Sequence, residues 1–597
     1  MILDELYGYY LRLLNDEPNA VPQEGWSVEK VSWALPIGMD GSMGEPISLG
    51  DEGKKAKYLS MMVPQHDVRS GTKPKPFFLC DTAAYLLGLE DKRGAEKRKA
   101  SCEKHLELLE GCQSPEANAL RLFFQNTDIA QGLSQANRDA LMSGGWCVLY
   151  FVGKCFAHDI SELGEAWNNS LHKDVSHEQL GQCGVTGKVA PLARLFPQIT
   201  GIPGAQGSGA SLVSFNQQSF ESYGKTQSYN ASISDSVAFG TGSALKYLFQ
   251  DVRHRVRVGD MTVVFWADRN AACEDELILQ MLGGKAITKE DATTVNLVRA
   301  SLESIREGKA PVALDVSVQY CVLGISPNAA RLVVRFFEVA TLGKLAKNYG
   351  QYLQDLEIEC DEKYVNNRTT SLLVLLKQTA LLGKDENLPA PLVNPCFRAL
   401  LKGTPFPSSL ETALLSRMRA DHAGNKPWDM MARASLMKAC LVRKQRNLQL
   451  READKESEVT VALNRMNGNA GYLLGRMFAV LERAQQGALG EGVNATVRDK
   501  YMSSAATTPS RVYATLLGLG QKHIGALRHS ENKGWLANRL ERELDEIFDL
   551  LEGEGQPIPT TLSTDDQLLF YIGYYQERVD LWKKRSEVQD KVINEEA

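Results

Sequence analysis

From Leu342 onward, the apolar residues of this 597-residue chain recur every 3.6 positions and keep that period to the end. Candidate helices are Gly343–Leu356, Thr369–Leu382, Ser408–Ala420, Pro427–Lys444, Ala470–Gln486, Pro509–Ser530, Gly534–Glu552 and Thr564–Lys584. Thr508 reads as an N-cap before Pro509 at the first helical position, and Ser563-x-x-Asp566 as a capping box. In the last helix Leu568, Ile572, Tyr575, Val579 and Trp582 fall on one stripe. The C-terminal part is therefore an all-α bundle, punctuated at Asp385–Asn394 and at Gly487–Gly492.

The chain before Leu342 mixes both periods. A helix at Met1–Val21 precedes strands within Val31–Ile47 and at Leu59–Pro64. Helices are expected at Asp81–Leu89, Gly94–Leu109, Ala130–Ser143, Cys273–Leu282 and Asp291–Glu307, and strands at Met261–Trp266, Val312–Leu323 and Arg331–Val339. The fold class is an α+β N-terminal portion, with mixed or antiparallel strands, followed by a helical bundle. Four domains are expected: 1–200, 201–341 carrying a Gly/Asn/Gln-rich loop, 342–486 with a basic face, and 493–597.

An apolar content of 43% with 23% charged residues describes an ordinary globular chain. No apolar run is long enough to span a bilayer, and Met1–Leu14 carries Asp4, Glu5 and Arg12, unlike a signal peptide. Eleven scattered cysteines without CxxC spacing indicate reduced thiols and a cytoplasmic protein. The net charge of −6 excludes a protein that coats nucleic acid throughout, but local patches stand out. Arg253, Arg255 and Arg257 alternate as on one face of a strand. Between Lys402 and Arg446 nine basic residues face three acids, which reads equally as a solvated helix face or a phosphate track. Lys73 and Lys75 sit on a Pro-stiffened turn, Ser70–Pro76.

No catalytic constellation emerges. The nine histidines form no HExxH, HxH or HD pair, and the Gly/Ser turns match neither a nucleophile elbow nor a Walker loop. Cys102-x-x-His105 with Cys112 is weighed as a zinc site against core thiols, and lacks a fourth ligand. Asp260 and Asp268 bracket one strand and are weighed as a Mg²⁺ pair. No metal and no cofactor is expected.

The segment Gly204–Gln250 is built to touch something. Gly204, Gly207 and Gly209 allow close backbone approach; Asn216, Gln217, Gln218, Gln227 and Asn230 each donate and accept; Phe220, Tyr223 and Tyr229 offer flat faces. Its wording, SFNQQSFESYGKTQSYNASIS followed by AFGTGSALKYLF, resembles the large subunit of the type I-C CRISPR surveillance complex, Cascade. Further collinear blocks are Ser70–Gly88, Leu323–Phe337, Leu401–Leu410, Leu463–Glu482, Asn494–Tyr513 and Phe570–Arg578.

The resemblance implies a non-enzymatic subunit bound to CRISPR RNA and to backbone and processing subunits. Such a subunit recognises the protospacer-adjacent motif in double-stranded DNA, promotes duplex opening and R-loop formation, holds the displaced strand and helps recruit a separate helicase-nuclease. Under that reading Asn216, Gln217, Gln218, Gln227 and Asn230 read the motif. Ser70, Thr72, Lys73, Lys75, Lys225, Arg253 and Arg255 grip the backbone, and Arg433, Lys438, Arg443 and Lys444 hold the displaced strand. The resemblance also implies small-subunit copies translated from the C-terminal part, with a start near Val493 favoured over Met477. The alternatives are a metal-dependent nuclease or a purely structural scaffold.

Overall fold

Apolar side chains on both faces of its second half make β1 (Trp26–Ile37) a central strand, with Val31, Ala34, Leu35 and Ile37 buried. In the computed structural model, which describes residues 2–583 apart from 17–19, 51–57, 67–68, 70–72, 90–91, 172–178, 286–291, 361–370, 422–426, 450–458, 491–495 and 554–557, β1 organises the first sheet. It pairs antiparallel with β2 (Ile47–Ser48) and β3 (Leu59–Pro64). On its other edge it runs parallel to β5 (Trp146–Phe151), which is antiparallel to β4 (Cys80–Thr82). The helices Gly94–Leu109, Pro115–Gln125 and Ser161–Leu171 supply Leu109, Phe123, Phe124 and Leu163 to a core with Leu35, Ile37, Leu149 and Phe151. The short pair β6 (Leu180–Gln182) and β7 (Val189–Pro191) follows.

The second sheet is fully antiparallel, in the order β11-β10-β9-β8. Its strands are β8 (Arg255–Val258), β9 (Met261–Ala267), β10 (Gln319–Asn328) and β11 (Arg331–Thr341). All seven residues of β9 are buried, as its continuous apolar run requires. From Ala390 on, the regular elements are helices almost throughout. The chain forms two compact units, residues 1–250 with 328–332, and residues 251–327 with 333–597.

In the first unit the Ile2–Asp16 helix packs on Asp235–Gln250. Gly240 makes this possible: a Cβ there would come within 2.6 Å of the Tyr10 ring. In the second unit the Ala470–Leu489 helix lies at the centre of the bundle, against Tyr513–Arg528, Gly534–Gly553 and Thr564–Leu581. A Cβ on Gly475 would fall on the Phe570 carbonyl oxygen, and one on Gly573 on that of Tyr472. These two helices thus meet backbone to backbone.

The sequence expectation of an α+β portion followed by helices is what the structure shows. Several local expectations are corrected. Thr508 does stand at the N-cap position with Pro509 next, but its hydroxyl makes no capping bond and donates to the Ser504 carbonyl, and the element it opens is a single 3₁₀ turn before the helix restarts at Tyr513. The last helix is buried nearly all round, not on one stripe, because the Ala470–Leu489 and Pro427–Gln449 helices both pack against it. Thr369–Leu382 shrinks to Leu372–Leu376 and short turns, with Leu382 at φ +58°, while 369 and 370 lie outside the described residues. The Ser563–Asp566 capping box forms as expected.

Candidate nucleic-acid interface

The Asn/Gln-rich segment folds as two 3₁₀ turns, Gln218–Phe220 and Gln227–Ala231, joined by an exposed bend. Gly204 (φ +87°) and Gly209 (φ +103°) turn the chain into it, and a Cβ on Gly209 would press within 3.1 Å of the Ile199 carbonyl oxygen. The tip of the β10–β11 hairpin, residues 328–332, is stitched to this loop. Gln206 N–H donates to the Ala329 carbonyl at 3.3 Å, Ser211 N–H to Ala330 at 3.0 Å, and Leu332 N–H to Ser211 at 3.0 Å.

That stitching delivers a residue the sequence reading did not single out. The Arg331 guanidinium lies 4.8 Å from the Phe220 ring centroid and donates to Asn216 Oδ1. Its distance in sequence, 115 residues from Asn216, hides it from any local pattern.

The five amides then separate into two kinds. Asn230 holds the loop together: its Oδ1 accepts from Ser222 N–H at 2.9 Å, and its Nδ2 donates to the Lys225 and Gln227 carbonyls at 2.8 Å each. Gln227 sits at φ +48°; its Oε1 accepts from Arg194 at 2.9 Å and its N–H donates to Glu221. Gln217 and Gln218 are exposed, and among the described residues neither amide has a hydrogen-bond partner. Tyr223, on the bend between the two turns, is 99% exposed at φ +52°. Lys225 Nζ donates to Ser232 Oγ at 3.1 Å.

The Lys turn is anchored from beneath. Arg69 pairs with the fully buried Asp81 (2.5 Å), donates through Nε to the Lys75 carbonyl at 2.9 Å, and lies over the rings of Tyr85 (3.9 Å) and Phe77 (4.1 Å). Burial pushes the Asp81 carboxyl up, and the Arg69 guanidinium opposes that. Lys73 and Lys75 are exposed on this base. Ser70 and Thr72 lie outside the described residues.

Arg255 and Arg257 lie on β8, but Arg253 precedes it in a 3₁₀ turn and forks onto Asp251, Nη2 to Oδ2 at 2.7 Å. The three therefore do not share one strand face.

The basic segment 402–446 is corrected more deeply. Arg433 is 5% exposed and pairs with Asp421 at 2.5 Å. Lys438, 4% exposed, donates to the Asp355 carbonyl at 3.1 Å, and burial lowers its pKa. Arg443, 2% exposed, pairs with Asp355 at 2.7 Å and donates to the Ala399 and Thr404 carbonyls. Lys444 keeps some exposure but pairs with Asp565 at 2.7 Å. Asp355 and Asp565 from outside the segment meet Arg443 and Lys444, and Arg433, Lys438 and Arg443, three of the four cations assigned to the displaced strand, are core residues.

Asp260 and Asp268 flank β9 at opposite ends, about 25 Å apart at the rise of a strand. Asp268 pairs with Arg269 at 3.0 Å, so the two acids are not brought together as a Mg²⁺ pair. His105 is buried; Nε2 accepts from Leu79 N–H at 2.9 Å and Nδ1 faces the Ser101 carbonyl at 2.7 Å, leaving neither nitrogen for zinc. Among the described residues no three His, Cys, Asp or Glu side chains are placed to hold a metal ion, and no helix is long and apolar enough to cross a membrane.

A family model described as CRISPR-associated protein (Cas_Csd1) matches residues 6–582. No curated protein matches the chain. The match runs through both compact units and every collinear block named above, and it agrees with the resemblance those blocks carry: the chain belongs to the Cas_Csd1 family of CRISPR-associated proteins, the type I-C large subunits.

Proposed function

We propose that this chain is the motif-reading, non-catalytic subunit of an RNA-guided surveillance complex, and that Gln217 and Gln218 reach the bases. The observation that carries this reading is the division of the amide cluster: Asn230 is spent on the loop's own backbone and Gln227 Oε1 on Arg194, while Gln217 and Gln218 stand exposed on a hairpin-braced platform. A side-chain amide with both groups unspent can pair with an adenine edge in the major groove. Asn216, held by Arg331, supports that platform. Lys73, Lys75 and Lys225 supply phosphate contacts that position the duplex without reading it. Arg255 adds to that set.

On this reading the complex opens the duplex, the guide RNA reads the target, and cutting falls to a helicase-nuclease recruited in trans. CRISPR RNA, backbone and processing subunits, and small-subunit copies are its partners. The test compares Gln217→Ala, Gln218→Ala and Asn230→Ala in the assembled complex, against the preferred motif and each single-base variant. A glutamine change should cost about 1–3 kcal/mol at one base position and alter the ranking. Asn230→Ala should weaken all motifs alike. An unchanged ranking in both glutamine variants would overturn the assignment.

A further inference from the structure

The Ala390–Lys402 helix presents Asn394, Arg398 and Lys402 one turn apart on a single stripe. Beside it β11 contributes Arg335, and the turn after the helix contributes Thr404, Pro405 and Pro407. Together they line an open cleft of about 410 Å³. The turn is stiff: Gly403 ends the helix at φ +69°, two prolines follow, and the buried Arg443 ties down the Ala399 and Thr404 carbonyls from behind.

Three cations converge here, each paired with a carboxylate yet still open to solvent, unlike the buried Arg433, Lys438 and Arg443. The Arg398, Lys402 and Arg335 side chains are 59%, 37% and 35% exposed. Glu338 Oε1 bridges Lys402 (2.9 Å) and Arg398 (3.5 Å), and Asp260 lies 3.9 Å from Arg335. Within the cleft, Asn394 Oδ1 is buried and has no hydrogen-bond partner among the described residues. A ligand that suits this lining carries negative charge for the cations and a hydrogen-bond donor for Asn394. A nucleotide unit has both, a phosphate beside a base N–H donor.

We propose that this cleft is a phosphodiester-binding site that seats one nucleotide of a single nucleic-acid strand. This rests on the reading of the chain as a DNA-engaging subunit, and it moves the strand contact from the buried cations of 433–443 to Arg335, Arg398 and Lys402. Glu338 acts as the counter-ion that a phosphate displaces.

The test measures affinity of the full chain for a labelled mixed-sequence DNA single strand across a salt series. Arg398→Ala with Lys402→Ala should lower affinity about tenfold and flatten the slope of log affinity against log salt by roughly one. Glu338→Gln, which removes the competing carboxylate, should instead raise affinity several-fold; a merely structural role for these side chains would not give opposite signs. Unchanged affinity and slope in the double variant, or weaker binding in Glu338→Gln, would overturn the proposal. So would saturation of the cleft by a nucleoside triphosphate, with loss of triphosphate binding in the double variant and none of strand binding. Motif ranking on duplex DNA is a separate readout, so failure of motif reading at Gln217 and Gln218 is distinguishable from failure here.

Discussion

At the scale of single residues, the chain separates side chains that hold the fold from those that face outward, and the two kinds give different signatures. His105 belongs to the first. Complete burial pushes its imidazole down to about 3, and both ring nitrogens are engaged. Its contribution to stability is therefore present above the ordinary histidine pKa and is lost as pH falls from about 6.5 towards 3, because only the unfolded chain takes up the proton. At about 1.4 kcal/mol for each tenfold change in proton affinity, wild type should lose about 2 kcal/mol between pH 6.5 and pH 5 from this group. Urea unfolding at several pH values checks this, with His105→Gln expected to flatten that stretch. An equal slope in the variant would contradict it. Lys73 and Lys75 belong to the second kind. Replacing both with alanine should weaken duplex binding for every motif alike and reduce the salt dependence by up to about two phosphate contacts. A changed motif ranking would reverse that role. Which residues are of which kind was only partly legible in the sequence. The amides of the Gly204–Gln250 segment stood out by type, but nothing local distinguishes Asn230, which bonds its own loop, from Gln218, which does not.

At the scale of elements, the two helices that meet at Gly475 and Gly573 decide whether the C-terminal bundle forms. Gly475→Ala sets a methyl group against the Phe570 carbonyl, where backbone cannot yield, and should cost about 1–3 kcal/mol or more. The same interface buries Arg476 against Glu577 at 2.9 Å, with Glu543 at 3.6 Å. Burial pushes the Glu577 carboxyl up to about 7, against the pull of Arg476. Its ionisation therefore opposes folding as pH rises from the ordinary glutamate range through 7. Arg476→Met should cost about 3–5 kcal/mol, more at pH 8 than at pH 6, since it strands a buried carboxylate. Thermal melts at the two pH values check the sign. The central place of the Ala470–Leu489 helix also bears on a separately translated C-terminal fragment. Val493 lies outside the described residues, but a fragment starting there omits this helix and uncovers Tyr513, Leu516 and Phe570. We expect residues 493–597 alone to bind a hydrophobic dye and melt without cooperativity, and residues 463–597 to melt cooperatively; equal behaviour would contradict the helix's role. Helical periodicity revealed the Ala470–Leu489 and Thr564–Leu581 helices nearly to their ends, but missed Val497–Thr507 and read the start of Ala390–Lys402 as a break. It could not reveal that Thr564–Leu581 is buried all round, because that depends on which helices surround it.

At the scale of the whole molecule, charge was the least legible property. Counting along the chain found an excess of cations at 402–446, yet Asp355, almost 90 positions from Arg443, pairs with Arg443 and Arg446 at its end. Local counts fail wherever the partner comes from a distant element, and for the same reason Arg331 escaped notice beside Asn216. The alternation of strand and helix signals before Leu342 was legible because period depends only on neighbours in sequence. The family match over residues 6–582 sets these features in a CRISPR-associated subunit, and the central claim is that its Asn/Gln platform meets the motif. A photo-crosslinking side chain at Gln218 in the assembled complex, with target DNA bearing the preferred motif, tests that claim most directly. Crosslinks should map to the motif base pairs and vanish when the motif is scrambled. Crosslinks confined to protein subunits, or to DNA away from the motif, would contradict it.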